Sequence, residues 1–186
     1  MKRFFFLTML LLPLGAHAEQ ADKQQPLRIW AQSQTYDGNK KVTVYNGPVH
    51  IQKGTLTIDA SRLEVIEEAS GKKISTLFGS PGKLVHYRQK RDGGPNLWAE
   101  GESEKMTYDD LLEHIKLFNQ AKIILFDGKK RTHETSGTYI SYDSRTDFMS
   151  VNNTLQGVSV PGAGFTHAVI YPDDKPGANN YSKDHQ

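Results

Sequence analysis

The chain has 186 residues, with 23 basic and 21 acidic side chains and no cysteine. Two of the basic residues, Lys2 and Arg3, sit in an N-terminal leader that holds no acid, so the remainder is charge-balanced and lacks the basic footprint of a nucleic-acid binder. The lack of cysteine rules out a disulfide-stapled secreted module and any thiolate metal site.

Residues 1–18 read as a secretory signal peptide. A basic start is followed by an apolar run from Phe4 to Leu12, a Pro13-Leu14-Gly15 break and an Ala16-His17-Ala18 cleavage site. The apolar run falls short of the roughly 20 residues of a membrane-spanning helix. The chain is therefore expected to be processed before Glu19 and released to the periplasm. Residues 19–25 are expected to be a flexible lead-in, 26–171 one domain, and 172–186, rich in Pro, Asp, Gly and Asn, a disordered tail.

Between Pro26 and Tyr171 the dominant signal is alternation of apolar and polar residues, the mark of strands with one face buried. It is strongest from Gly47 to Glu67 and returns in weaker form three more times. Small residues recur at Ala31, Ala60, Ser103 and Gly137. Interleaved with them, Tyr45, Phe78, Phe118 and Val151 each end a strand and lead into a polar link: Asn46-Gly47-Pro48, Gly79-Ser80-Pro81-Gly82, Asn119-Gln120 and Asn152-Asn153. Four repeated units of short antiparallel strands follow, an all-β fold with strands of four to eight residues. Within the first unit Ile58 and Ala60 have one parity and Leu63 and Val65 the other, which predicts a bulge or corner at Ala60-Ser61. Further turns are predicted at Asp37-Gly38, Ser70-Gly71, Asp92-Gly93-Gly94-Pro95 and Asp127-Gly128. Tyr108 to Asn119 could be helical by its Leu111, Leu112 and Ile115, but the alternation of Ile115 and Leu117 with Ile123 and Leu125 favours a turn followed by a strand.

Catalytic chemistry finds little support. The histidines His50, His86, His114, His133 and His167 are scattered singly, without ligand spacing for a metal. Gly79 to Leu84 has too few residues between its glycines for a phosphate loop, and Ser70-Gly71-Lys72-Lys73 matches a Ser-x-x-Lys motif in letters alone. Glu67-Glu68 and Asp109-Asp110 are sequence neighbours, so in strands they face opposite ways. No enzyme, no metal and no cofactor are expected. The basic clusters at Lys40-Lys41, Lys72-Lys73, Arg88-Lys90-Arg91 and Lys129-Lys130-Arg131 fall near turns and read chiefly as solvated loop tips, with phosphate contact as the sharper alternative.

Several segments in order carry a resemblance: Gln25-Pro26-Leu27-Arg28-Ile29, Asn46 to Ile51, Gly54 to Ala60, Gly79-Ser80-Pro81 and Met106-Thr107-Tyr108. With the leader and the length, the chain resembles the OstA-like domain family of periplasmic lipopolysaccharide-transport proteins from about Pro26 to Tyr171. Pro48 departs from the pattern, standing where the family more often has a backbone donor, and the Gly-rich loop from Gln89 to Asn96 is longer. The resemblance implies a twisted β-jelly roll, open along one side, whose interior shields the acyl chains of lipopolysaccharide. It also implies head-to-tail self-association into a bridge between LptC-like inner-membrane and LptD-like outer-membrane proteins, with the energy supplied elsewhere. Family motif positions place a lipid-binding groove along Leu27, Ile29, Val49, Ile51, Leu56, Ile58, Leu63, Val65, Leu84, Met106, Tyr108, Leu117, Ile123, Leu125, Ile140 and Tyr142. Two rivals remain: an LptC-like or outer-membrane-assembly relative of the same domain, and a periplasmic glycan-binding or structural β-roll using Trp30 and Trp98 as platforms.

Overall fold

In the computed structural model, residues 24–172 and Asp22 are described, except 110, 111, 113, 144, 145 and 147. The expected signal peptide lies outside the described residues, as does all of the expected tail except Pro172. Among the described residues, twelve antiparallel strands form a single sheet: β1 (Arg28–Trp30), β2 (Ser33–Asp37), β3 (Val42–Lys53), β4 (Leu56–Glu67), β5 (Lys73–Phe78), β6 (Val85–Lys90), β7 (Leu97–Ser103), β8 (Lys105–Asp109), β9 (His114–Asp127), β10 (Lys130–Asp143), β11 (Phe148–Asn152) and β12 (His167–Ile170). The fold is a twisted, open antiparallel β-jelly roll.

Four strands are longer than the alternation suggested: β3 and β4 have 12 residues each, β9 and β10 have 14. β3 and β9 run through the polar links Asn46-Gly47-Pro48 and Asn119-Gln120 instead of stopping at them, β4 and β10 run through the small residues Ala60 and Gly137, and each of the four changes neighbours along its length. The C-terminal part of β3 pairs with β1 and its N-terminal part with β2. β4 pairs first with β6 and then with β5, β9 first with β8 and then with β7, and β10 first with β12 and then with β11. Two walls result, one ordered β1-β3-β4-β6-β7-β9-β10-β12 and the other β2-β3-β4-β5-β8-β9-β10-β11, sharing the long strands across a fold line.

The fold line explains the recurring small residues. Ala60 and Ser103 are 2% and 0% exposed, and a Cβ on Gly137 would stand 2.9 Å from the Asn152 carbonyl oxygen. The walls meet too closely here for a larger side chain. The parity change between Ala60 and Leu63 occurs on this line, but the extra residue is in the partner strand. Asn46 faces Arg62 and Val49 faces Ala60, so Gly47 and Pro48 together oppose Ser61. Gly47 takes the left-handed conformation, with φ 89°, and Pro48 sits in a bulge, where a missing donor disturbs no ladder. β9 repeats the device: Asn119 and Gln120, both at positive φ, together oppose Thr138. Glu104 accepts bonds from both of their side chains, at 2.9 and 2.7 Å.

Candidate functional site

Strand pairing arranges the inward side chains in rows that cross the strands. On the first wall, Ile29, Ile51, Ile58, Tyr87, Gly101 and Ile123 stand opposite one another in succession. On the second, beside the fold line, the row is Tyr45, Leu63, Leu77, Met106, Leu117, Ile140 and Val151. Its central members, from Leu63 to Ile140, are at most 1% exposed.

Between the walls lies a cavity of about 500 Å3, within the range of small-molecule sites. It spans the fold line. Leu27, Ile29, Ile51, Leu56, Ile58 and Tyr87 line it from the first wall, and Leu63, Val65, Ser75, Leu77, Met106, Tyr108, Ile115 and Tyr142 from the second. Asp22, Lys53, Lys73 and Gln89 complete the lining as its other polar members.

Ten of the residues expected in the groove line this cavity: Leu27, Ile29, Ile51, Leu56, Ile58, Leu63, Val65, Met106, Tyr108 and Tyr142. Val49, Leu117, Ile123 and Ile140 belong to the packed core, each at most 4% exposed, and Leu125 packs against it. Ile123, Leu117 and Ile140 share the inward rows, but at their end of the rows the interior is filled, and Val49 stands opposite Ala60 on the fold line. Leu84 lies instead beside Gln120, Lys122, Gly137 and Phe165 at a separate, more open depression. Leu77, Tyr87 and Ile115 were not among the expected residues. Each carries the same inward parity as a strand neighbour that was: Leu77 stands opposite Leu63 and Met106, Tyr87 opposite Ile58, and Ile115 opposite Tyr108.

The charged clusters are largely compensated. Lys41 reaches Glu67 at 3.4 Å, Arg88 reaches Glu100 at 2.9 Å and Arg131 reaches Glu134 at 3.3 Å. At the tip of the second wall Lys72 lies 3.4 Å from Glu68 and 3.5 Å from Asp109. Desolvation works against its ammonium form, but bonding and attraction from these two carboxylates outweigh it and raise the pKa above its ordinary value. No group of three or more histidine, aspartate or glutamate side chains among the described residues could hold a metal. Trp30 is tilted against His50 at 5.4 Å, and Arg88 covers the Trp98 ring at 4.5 Å. Trp98 is thus occupied by a cation, whereas Trp30 is 49% exposed on the edge strand.

An open, bent β-sheet enclosing an apolar cavity defines a β-jelly-roll protein suited to apolar cargo. The chain belongs to the LptA/(LptD N-terminal domain) LPS transport protein family, whose model matches residues 28–148. The lipopolysaccharide export system protein LptA of Haemophilus influenzae is 30% identical over 154 residues, covering 81% of this chain and 84% of its own. The lipopolysaccharide export system protein LptH of Pseudomonas aeruginosa is 27% identical, covering 70% and 75%. The crystal structure of LptH, described as the LptA-homologous periplasmic component of the lipopolysaccharide transport device, superimposes with a TM-score of 0.68 at 22% identity. That superposition covers 81% of this chain and 99% of LptH, and it shows a shared fold.

Proposed function

We propose that the chain is a periplasmic lipopolysaccharide carrier that shelters lipid A acyl chains between its two walls as they pass from inner to outer membrane. The observation that carries this reading is the apolar cavity continuous across the fold line, in a sheet whose edge strands β1, β2, β11 and β12 leave the roll unclosed. An acyl chain of on the order of ten methylenes gains about 8 kcal/mol on leaving water, at about 0.8 kcal/mol per methylene. A lipid with several such chains needs a protein interior to cross an aqueous space. Membership of a lipopolysaccharide-transport family supports the cargo. The carrier acts as a passive conduit and not as an enzyme, stacking head to tail through its edge strands, with an LptC-like inner-membrane protein at one end and an LptD-like outer-membrane protein at the other. Edge strands recruit such partners because their backbone donors and acceptors are unpaired.

Photo-crosslinking in living cells tests the cargo. A photoreactive residue at Ile29 or Tyr108, both on the cavity wall, should capture lipopolysaccharide. One at Lys72 or Asp92, outside the cavity lining, should not. Equal labelling at all four positions would sink the proposal.

A further inference from the structure

Asp22 is the only charged side chain among the described residues that is buried to the level of the core, at 4% exposure. It comes from the stretch expected to be a flexible lead-in, yet it is held by three bonds. Its Oδ1 accepts from the Thr55 backbone N–H at 2.8 Å, and its Oδ2 accepts from the Thr55 hydroxyl at 2.6 Å and from Gln89 Nε2 at 3.3 Å. The Thr55 hydroxyl in turn accepts from the Lys90 N–H at 3.2 Å. Gly54 leaves room for the carboxylate, since a Cβ there would collide with Asp22 Oδ1 and stand 2.8 Å from Cγ. A carboxylate accepting several directed donors in a shielded position is strongly held.

The place matters as much as the bonds. Thr55 is in the β3–β4 turn and Gln89 in β6, at the free end of the first wall, and Asp22 lines the cavity beside Lys53 and Leu56. We propose that Gly54, Thr55 and Gln89 form an acid-group niche on the cavity rim, filled by the chain's own Asp22, and that this contact is a latch that must open for an acyl chain to seat. What passes the latch rests on the carrier reading; the latch itself does not. The same groups would donate to an acidic group of the arriving lipid once the Asp22 carboxylate leaves, so seating the cargo and holding Asp22 compete for one site.

Two measurements separate the niche from the gate. Hydrogen exchange at the Thr55 amide reads the latch without lipid: Asp22→Ala, with unchanged circular dichroism, should exchange at least about tenfold faster there, and unaccelerated exchange overturns the niche. Binding of a neutral apolar dye, N-phenyl-1-naphthylamine, reads the gate. Asp22→Ala should bind about tenfold tighter if the latched form holds about nine-tenths of the molecules. In a chain without cysteine, the pair Asp22→Cys and Thr55→Cys forms one unambiguous disulfide. Oxidised, it should exclude the dye and lipopolysaccharide; reduced, it should admit both. Equal binding in the two states overturns the gate. A wild-type chain that binds neither ligand while Asp22 still protects Thr55 sinks the carrier reading and leaves the niche standing.

Discussion

Substituting alanine at Gly101 should destabilise the protein through one aromatic ring. Gly101 stands opposite Tyr87 across β6 and β7, and a Cβ there would collide with the ring edge, with Cδ1 at 2.6 Å and Cζ at 2.8 Å. Tyr87 is 4% exposed and lines the cavity, so its ring must swing toward the hollow interior or push the backbone apart. Overpacking of this kind costs about 1–3 kcal/mol, partly offset by about 0.4–1 kcal/mol from the lower entropy of an unfolded chain without that glycine. A net loss of about 1–2 kcal/mol is expected, or about 2–8 °C in Tm for a domain of this size. Urea unfolding at unchanged m measures it. In a Tyr87→Ala background the obstacle is gone, and Gly101→Ala should then be neutral or stabilising. A loss of the same size in both backgrounds would refute the argument that the ring is the obstacle.

Burial raises the pKa of Tyr139 above its ordinary 10.0, with a bond to Ser141 pulling partly back. The unfolded chain therefore ionises this tyrosine first, and the stability it contributes is lost as pH rises from about 10 toward the folded value. Tyr139→Phe should flatten that part of the alkaline fall in urea midpoints, and identical alkaline slopes would contradict the assignment. Val169 faces Glu134 in the ladder that joins β12 to β10. Val169→Pro removes one backbone donor there and should stop concentration-dependent growth in light scattering while β-sheet circular dichroism is retained. Growth that survives with the fold intact would show that β12 is not the joint.

The alternation of Val49, Ile51, Leu56, Ile58, Leu63 and Val65 carries the fold class, because a two-residue period puts every apolar side chain on one face in a strand and scatters them around a helix. In the stretch Tyr108 to Asn119 the alternation of Ile115 and Leu117 is likewise that of a strand, and from His114 on the chain is β9. Strand ends were less legible. Asn46-Gly47-Pro48 and Asn119-Gln120 have the composition of turns, but a bulge selects the same residues as a turn, and only partner registry tells the two apart. The site was partly legible for a related reason. Parity gives the face of a residue, so Ile123 and Ile58 read alike, yet one is packed and the other borders a hollow. That difference depends on how far apart the walls stand. Asp22 has no local signal at all, since its donors are 33 and 67 residues away.

Because β3, β4, β9 and β10 each belong to both walls, the walls cannot swing apart like two domains. Any widening at the mouth would have to break backbone ladders or flatten bulges that Gly47, Asn119 and Gln120 hold in left-handed geometry. The bore of the roll is therefore nearly fixed, and side-chain rotation at Tyr87, Met106 and Tyr108 is the main adjustment left to it. A bulkier passenger would then have to be taken up lengthwise, by occupying more of the trough, and the number of acyl chains carried would be set by the run of connected rows and not by their breadth.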